Sequence, residues 1–243
     1  MLAAPLPLLG TFHEFSVAAA SLPPSVEFYR RLGFELAPTS DAVAHPYGAL
    51  TDGRLCIGLH ARAGVSPVLT FVRAGVAASV PALEAAGLAL TVCRTGAEDF
   101  HEIGFRAECG QPVAVLEART YSPGVRLPGT SLCGEFAEVS LPAADFGAAQ
   151  RFWEKLGFVA ADPEQTPYPR LPLTSDFLNL AFHSPQLCPA PMLVFEDAEL
   201  GTAPVRLEPA GASVQALRGQ PAGGALCLAA PEGTVLLLRP PCG

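Results

Sequence analysis

Apolar and polar positions alternate along residues 11–18, where Phe15 and Val17 are interleaved with Glu14 and Ser16, so this segment predicts a half-buried strand. Pro23-Pro24 then opens a helix, because proline's missing N–H has no partner in a first turn, and Gly33 closes it just past Leu32. Strands follow at 34–36, 47–51 and 54–61, the last two joined across Asp52-Gly53, a pair that accepts the positive φ of a tight hairpin. The same order returns as strand 67–73, helix 77–86 ended by Gly87, and strands 88–94, 103–108 and 112–118. Each set is a β-α-β-β-β unit. Past a turn-rich stretch at 119–132 come strand 135–141, helix 146–156, strand 157–161, a hairpin over 168–183 and a strand at 191–196. Closing strands are expected near 203–208, 225–229 and 234–239, and residues 197–201 leave room for barely a turn where the other units have a helix.

The second half repeats the first. Gly10-Thr11-Phe12-His13-Glu14-Phe15-Ser16-Val17 is answered by Gly134-Glu135-Phe136-Ala137-Glu138-Val139-Ser140-Leu141, and Phe28-Tyr29-Arg30-Arg31-Leu32-Gly33-Phe34 by Phe152-Trp153-Glu154-Lys155-Leu156-Gly157-Phe158, at a constant offset of 124. A period this long marks an internal duplication of a whole domain. The division expected is a first domain over 1–121, a linker over 122–132 and a second domain over 133–243.

Composition narrows the class. Apolar residues make up 50% of the chain, charged ones 16%, and mean hydropathy is +0.33, which excludes disorder, while no apolar run is long enough for a membrane span. The net charge of −8 disfavours nucleic acid as a partner, since phosphates call for a basic face. Residues 1–9 lack the basic segment of a secretory signal, and the cytoplasm is the expected compartment. The seven cysteines form no C-x-x-C pair and read as small buried hydrophobes, not as a zinc site or disulfide framework.

Four β-α-β-β-β units in two pairs, with Phe-Tyr-x-x-Leu-Gly-Phe and Phe-Trp-x-x-Leu-Gly-Phe closing the first helix of each pair, resemble the vicinal oxygen chelate superfamily. That group includes glyoxalase I, extradiol dioxygenases and the bleomycin- and fosfomycin-resistance proteins. The resemblance spans nearly the whole chain and implies an α+β fold: two glyoxalase-like domains, each a cupped mixed sheet with its helices outside. It also implies a His near the start of a unit's first strand and a Glu in a last strand as metal ligands. In this chain those positions are read as Phe12 and Phe136, Val68 and Met192, and Ala114 and Leu236. Most of these cannot ligate, a phenylalanine or an alanine least of all, so no metal or other cofactor is expected, a divalent metal being the alternative.

The cavities offer other chemistry. Alternation turns Phe12, Glu14 and Ser16 toward the first cup and Phe136, Glu138 and Ser140 toward the second, with Phe15 and Val17 under the helix. A carboxylate within an apolar sheet is costly unless paired, so Glu14 and Glu138 are ligand-binding or general-base candidates with raised pKa values, or are satisfied by a buried Arg, Ser or His. Cys56 and His60 are expected in the first cup, and Asn179, His183, Met192 and Leu236 in the second. Arg170 either binds an anionic ligand or pairs with Glu138. His13 is placed on the helix-facing side or at the strand's start, where a one-residue shift of register would bring it into the cup, and His45 and His101 at the surface. Two functions stay open: a metal-free protein holding a small, mostly apolar molecule, as the drug-sequestering members of that superfamily do, or an enzyme. The enzyme would be a metal-dependent lyase or dioxygenase with atypical ligands, or a metal-free acid–base isomerase. The partner is a small molecule, and the chain acts as a monomer or homodimer.

Overall fold

The computed structural model describes residues 8–38, 44–118, 129–217 and 224–241. Most of the expected linker, with residues 1–7 and Cys242, lies outside them. The first half contains β1 (Thr11–Ala18), α1 (Leu22–Arg31), β2 (Glu35–Leu36), β3 (Tyr47–Thr51), β4 (Cys56–His60), β5 (Val68–Arg73), α2 (Val76–Ala85), β6 (Leu90–Arg94), β7 (Glu102–Arg106) and β8 (Pro112–Glu117). The second half contains β9 (Glu135–Pro142), α3 (Phe146–Glu154), β10 (Val159–Ala160), β11 (Arg170–Thr174), β12 (Leu180–His183), β13 (Met192–Glu196), α4 (Ala203–Leu207), β14 (Gln215–Ala216), β15 (Leu226–Ala229) and β16 (Val235–Arg239).

Each half forms one eight-stranded mixed sheet, ordered β2-β3-β4-β1-β5-β8-β7-β6 and β10-β11-β12-β9-β13-β16-β15-β14. Within a unit the first and last strands run parallel (β1 with β4, β5 with β8), and two units join through antiparallel first strands (β1 with β5). The second sheet repeats this with β9, β12, β13 and β16. The expected α+β architecture of paired units is the one observed.

The helices pack on the backs of the sheets. In α3 the Asp145 carboxylate caps the helix by accepting from the Ala148 N–H at 2.9 Å, and α1 begins on its prolines and ends just before Gly33, whose φ of 91° suits only glycine. Tyr29 and Trp153, equivalent by the repeat, are fully buried under them. The two backs share one continuous apolar core. Phe34 meets Phe195 and Phe105 meets Phe152, both at 6.3 Å between ring centres, and the Tyr29 hydroxyl donates to Glu232 Oε1 at 2.6 Å. The cups therefore face away from this core, on the opposite face of each sheet.

The fourth unit keeps a helix. Residues 203–208 alternate apolar and polar like a strand, yet Ala203–Leu207 is helical and flanked by 3₁₀ turns. Pro204 in its first turn favours the helix, and burial follows helical spacing: Ala203 and Leu207 are at 0% exposure and Val205 at 74%. No helix among the described residues is long and apolar enough to cross a membrane.

Candidate functional site

Strand alternation is broken once in each first strand. The β1–β5 register shifts between Phe12 and Glu14, and the β9–β13 register shifts between Val194 and Phe195, opposite Phe136 and Glu138. A bulge of this kind opposes two residues to one and moves everything before it to the other face. Phe12 and Phe136 consequently leave the cups, against expectation. Phe12 packs edge-on against Phe71 (5.5 Å) and Phe136 against Phe195 (5.7 Å), on the side of the shared core. Together with Asn179 they line a cleft of about 240 Å³ between the two halves, where Arg54 and Glu135 pair at 3.1 Å.

In the first cup, Glu14 is only 3% exposed and is the acceptor at the centre of a polar network. Ser16 Oγ donates to its Oε1 at 2.6 Å, Tyr47 OH to its Oε2 at 2.5 Å, and His60 Nε2 lies 3.0 Å from Oε1. Because a carboxylate only accepts, Nε2 is the protonated nitrogen of His60. Its Nδ1 lies 2.9 Å from Nε2 of His45, and Ser16 also bonds Thr70 at 2.7 Å. Burial pushes the Glu14 carboxyl up, but donation from His60, Ser16 and Tyr47, with the nearby His13, brings it below the ordinary carboxylate range. This reverses the raised value expected for it, and Glu14 is anionic at neutral pH. His13 lies at the bulge, near the start of β1, and acts electrostatically on Glu14. Desolvation, then the electrostatic influence of Arg62 and of the neighbouring His60 ring, lowers the His45 pKa.

Gly58 makes this geometry possible. It faces the cup from β4, and a β-carbon there would overlap the Glu14 carboxylate. Register places Ser16 beside Gly58 and Ser140 beside Ala181, so the second copy has a methyl group where the first has none. Gly58→Ala is expected to displace the carboxylate from His60 and Tyr47 at a cost of about 1–3 kcal/mol, read as a lowered urea midpoint and loss of the Glu14–His60 hydrogen-bonded proton in NMR spectra.

The second cup uses its carboxylate differently. Glu138 is 4% exposed, and Nη1 of Arg170, itself 3% exposed, lies 2.6 Å from both of its oxygens. The rest of that guanidinium reaches Glu164 at 2.8 Å. Burial pushes the Glu138 carboxyl up, opposed by Arg170 and Arg239, and the contact to the guanidinium keeps the pair ionic. His183 is fully buried: its Nε2 donates to the Cys188 carbonyl at 3.0 Å, which leaves Nδ1 to accept from Ser140 Oγ at 2.8 Å. Apolar side chains fill the remainder, since Tyr168, Met192, Val194, Leu217, Ala225 and Leu237 form one buried cluster. Leu236 belongs to the opposite face, in the shared core with Leu238, and Leu237 takes the cup position expected for it.

The eleven residues expected in the cups thus divide four ways. Glu14, Cys56 and His60 share the first cup, with Cys56 and His60 on the face opposite Ile57 and Leu59. Glu138, Arg170, His183 and Met192 lie in the second. Phe12, Phe136 and Asn179 line the cleft, and Leu236 is on the back. Tyr47, Thr70 and His45 were missed as cup residues. Tyr47 had a signal: it pairs across the hairpin with His60 as Arg170 does with His183, at an offset of 123 (170 against 47, 183 against 60), one less than in the flanking segments.

The sequence matches no protein-family model, and no curated protein resembles it in sequence. Solved structures do resemble it. A catechol 2,3-dioxygenase superposes with a TM-score of 0.60 at 17% identity, over 96% of this chain and 90% of that one. The 2,3-dioxygenase LapB from Pseudomonas sp. KL28 gives 0.63 at 15%, over 97% and 93%. An Mn(II)-bound glyoxalase from Novosphingobium aromaticivorans gives 0.58 at 14%, over 95% and 81%. The chain has the two-domain vicinal oxygen chelate fold.

Among the described residues no three His, Cys, Asp or Glu side chains stand together to hold an ion. Across from Glu14 the central cup positions are Thr70 and Ala114, and across from Glu138 they are Val194 and Leu237. In the second cup, moreover, a guanidinium already sits against the carboxylate.

Proposed function

We propose that the protein binds a small, mostly apolar molecule in its first cup without a metal ion, and that the second copy serves as its scaffold. One contrast supports this reading above others. The two halves keep a carboxylate at the same strand position, but the floor around Glu138 is closed by Met192, Val194 and Leu237 at 0% exposure. The equivalent floor around Glu14, made by Val68, Thr70 and Ala114, keeps Val68 and Ala114 partly exposed. A concave apolar surface carrying a few oriented polar groups is the usual form of a small-ligand site. The role would be sequestration or sensing in the cytoplasm, by a monomer or homodimer.

Nile red, a neutral dye that brightens in apolar surroundings, tests the location. Its fluorescence is expected to rise on adding the protein and to lose most of that rise in Ala114→Trp, which fills the first floor. Unchanged dye binding in that variant would place the site elsewhere. Elemental analysis addresses the rival reading: one Fe, Mn, Ni or Zn per purified chain, lost in Glu14→Ala, would replace the binder with a metal-dependent lyase or dioxygenase.

A further inference from the structure

We infer that the ligand of the first cup carries a cation, a protonated amine or amidine on a hydrocarbon body, and that its charge pairs with Glu14; this inference rests on the first cup being the binding site. The internal duplication supplies the comparison. In the second cup two guanidinium groups act on Glu138: Arg170, in contact with it, and Arg239, at 3% exposure and paired with Glu196 at 3.0 Å. Register identifies their counterparts in the first cup. Arg170 faces His183 across the hairpin as Tyr47 faces His60. Arg239 sits beside Glu196 as Leu116 sits beside Val72. Both cationic positions are therefore uncharged in the first copy, a phenol in one case and an alkyl chain in the other.

The carboxylate, however, is retained and deeply buried. Among the described residues no arginine or lysine pairs with Glu14; its hydrogen-bond partners are Ser16, Tyr47 and His60, the last an ion pair only when the imidazole is protonated, and His13 acts on it electrostatically. Hydrogen bonds from Ser16, Tyr47 and His60 stabilise the carboxylate, but none of them is a fixed positive charge of the kind that Arg170 brings to Glu138, and a ligand carrying one adds that ion pair as affinity. Tyr47 also contributes an aromatic face, and its ring lies 4.7 Å from that of His60, a wall against which an ammonium is favoured. Val68, Ala114 and Leu116, all partly exposed, offer hydrocarbon for the body of such a ligand. The Arg170–Glu138 contact serves as an internal copy of the ligated state.

Three probes with one tail and three heads decide the matter: n-octylammonium, n-octanol and n-octanoate, titrated calorimetrically into the full chain at neutral pH. Octylammonium is expected to bind about tenfold or more tighter than octanol, with octanoate weakest. Glu14→Gln should remove that preference. Tyr47→Arg, which installs the second copy's guanidinium, should abolish octylammonium binding while the thermal midpoint holds or rises. Equal binding of octanol and octylammonium, or tightest binding of octanoate, overturns the cation and leaves the apolar site standing. A preference that survives Glu14→Gln overturns the pairing with Glu14. If none of the three binds the unaltered protein, both the cation and the first-cup site fall.

Discussion

Arg170→Met is expected to destabilise the protein by about 3–5 kcal/mol, because it strands the Glu138 carboxylate in an apolar cluster with its contacting cation removed. For a chain of this size that is about 10 °C in thermal midpoint. The double variant Arg170→Met with Glu138→Leu should recover most of the loss, since an apolar pair of similar volume needs no charge compensation. Glu164→Gln, on the outer side of the same guanidinium with its side chain 35% exposed, should cost no more than about 1 kcal/mol. Urea unfolding of the four proteins gives the answer. If the double variant is as unstable as the single one, the loss came from packing and not from the stranded charge.

His183 supplies the second large effect, through pH. Burial lowers its pKa to about 4 in the folded protein, against an ordinary 6.5. Between those values the unfolded chain takes up a proton that the folded protein refuses. Stability is therefore complete above about pH 6.5 and declines as the pH falls toward 4, by about 3 kcal/mol in all. His183→Gln removes a titrating group, so the difference in unfolding free energy between variant and parent should change by that amount across the window. Taking the difference at each pH removes the carboxylates, of which Glu14 with its lowered value loses stability only at more acid pH and Glu138 with its raised value acts in the opposite sense. A flat difference from pH 7 to pH 4 would mean that His183 is open to water in the folded state.

The identity of the two cups was partly legible. Glu14, Ser16 and His60 could be assigned to one face because the alternation near them is unbroken, and the Glu138–Arg170 pair was one of two readings open to a buried carboxylate. Phe12 and Phe136 could not be assigned correctly. Each precedes a bulge, and a bulge leaves no compositional mark: one extra residue reverses the face of everything before it. Leu236 failed for a related reason, since the run Val235-Leu236-Leu237-Leu238 is apolar on both faces and carries no alternation to read.

What the sequence determined alone was the repeat, the four-unit order and the element types outside 203–208, because those depend on local periodicity, glycine and proline placement and a helix-end motif printed twice. What only the tertiary structure decided was the inequality of the halves. Whether a buried carboxylate is neutralised depends on which side chain reaches it from a neighbouring strand, Arg170 in one cup and Tyr47 in the other. That partnership is fixed by strand register and by the missing methyl of Gly58, both of them matters of ångströms between segments far apart in the chain.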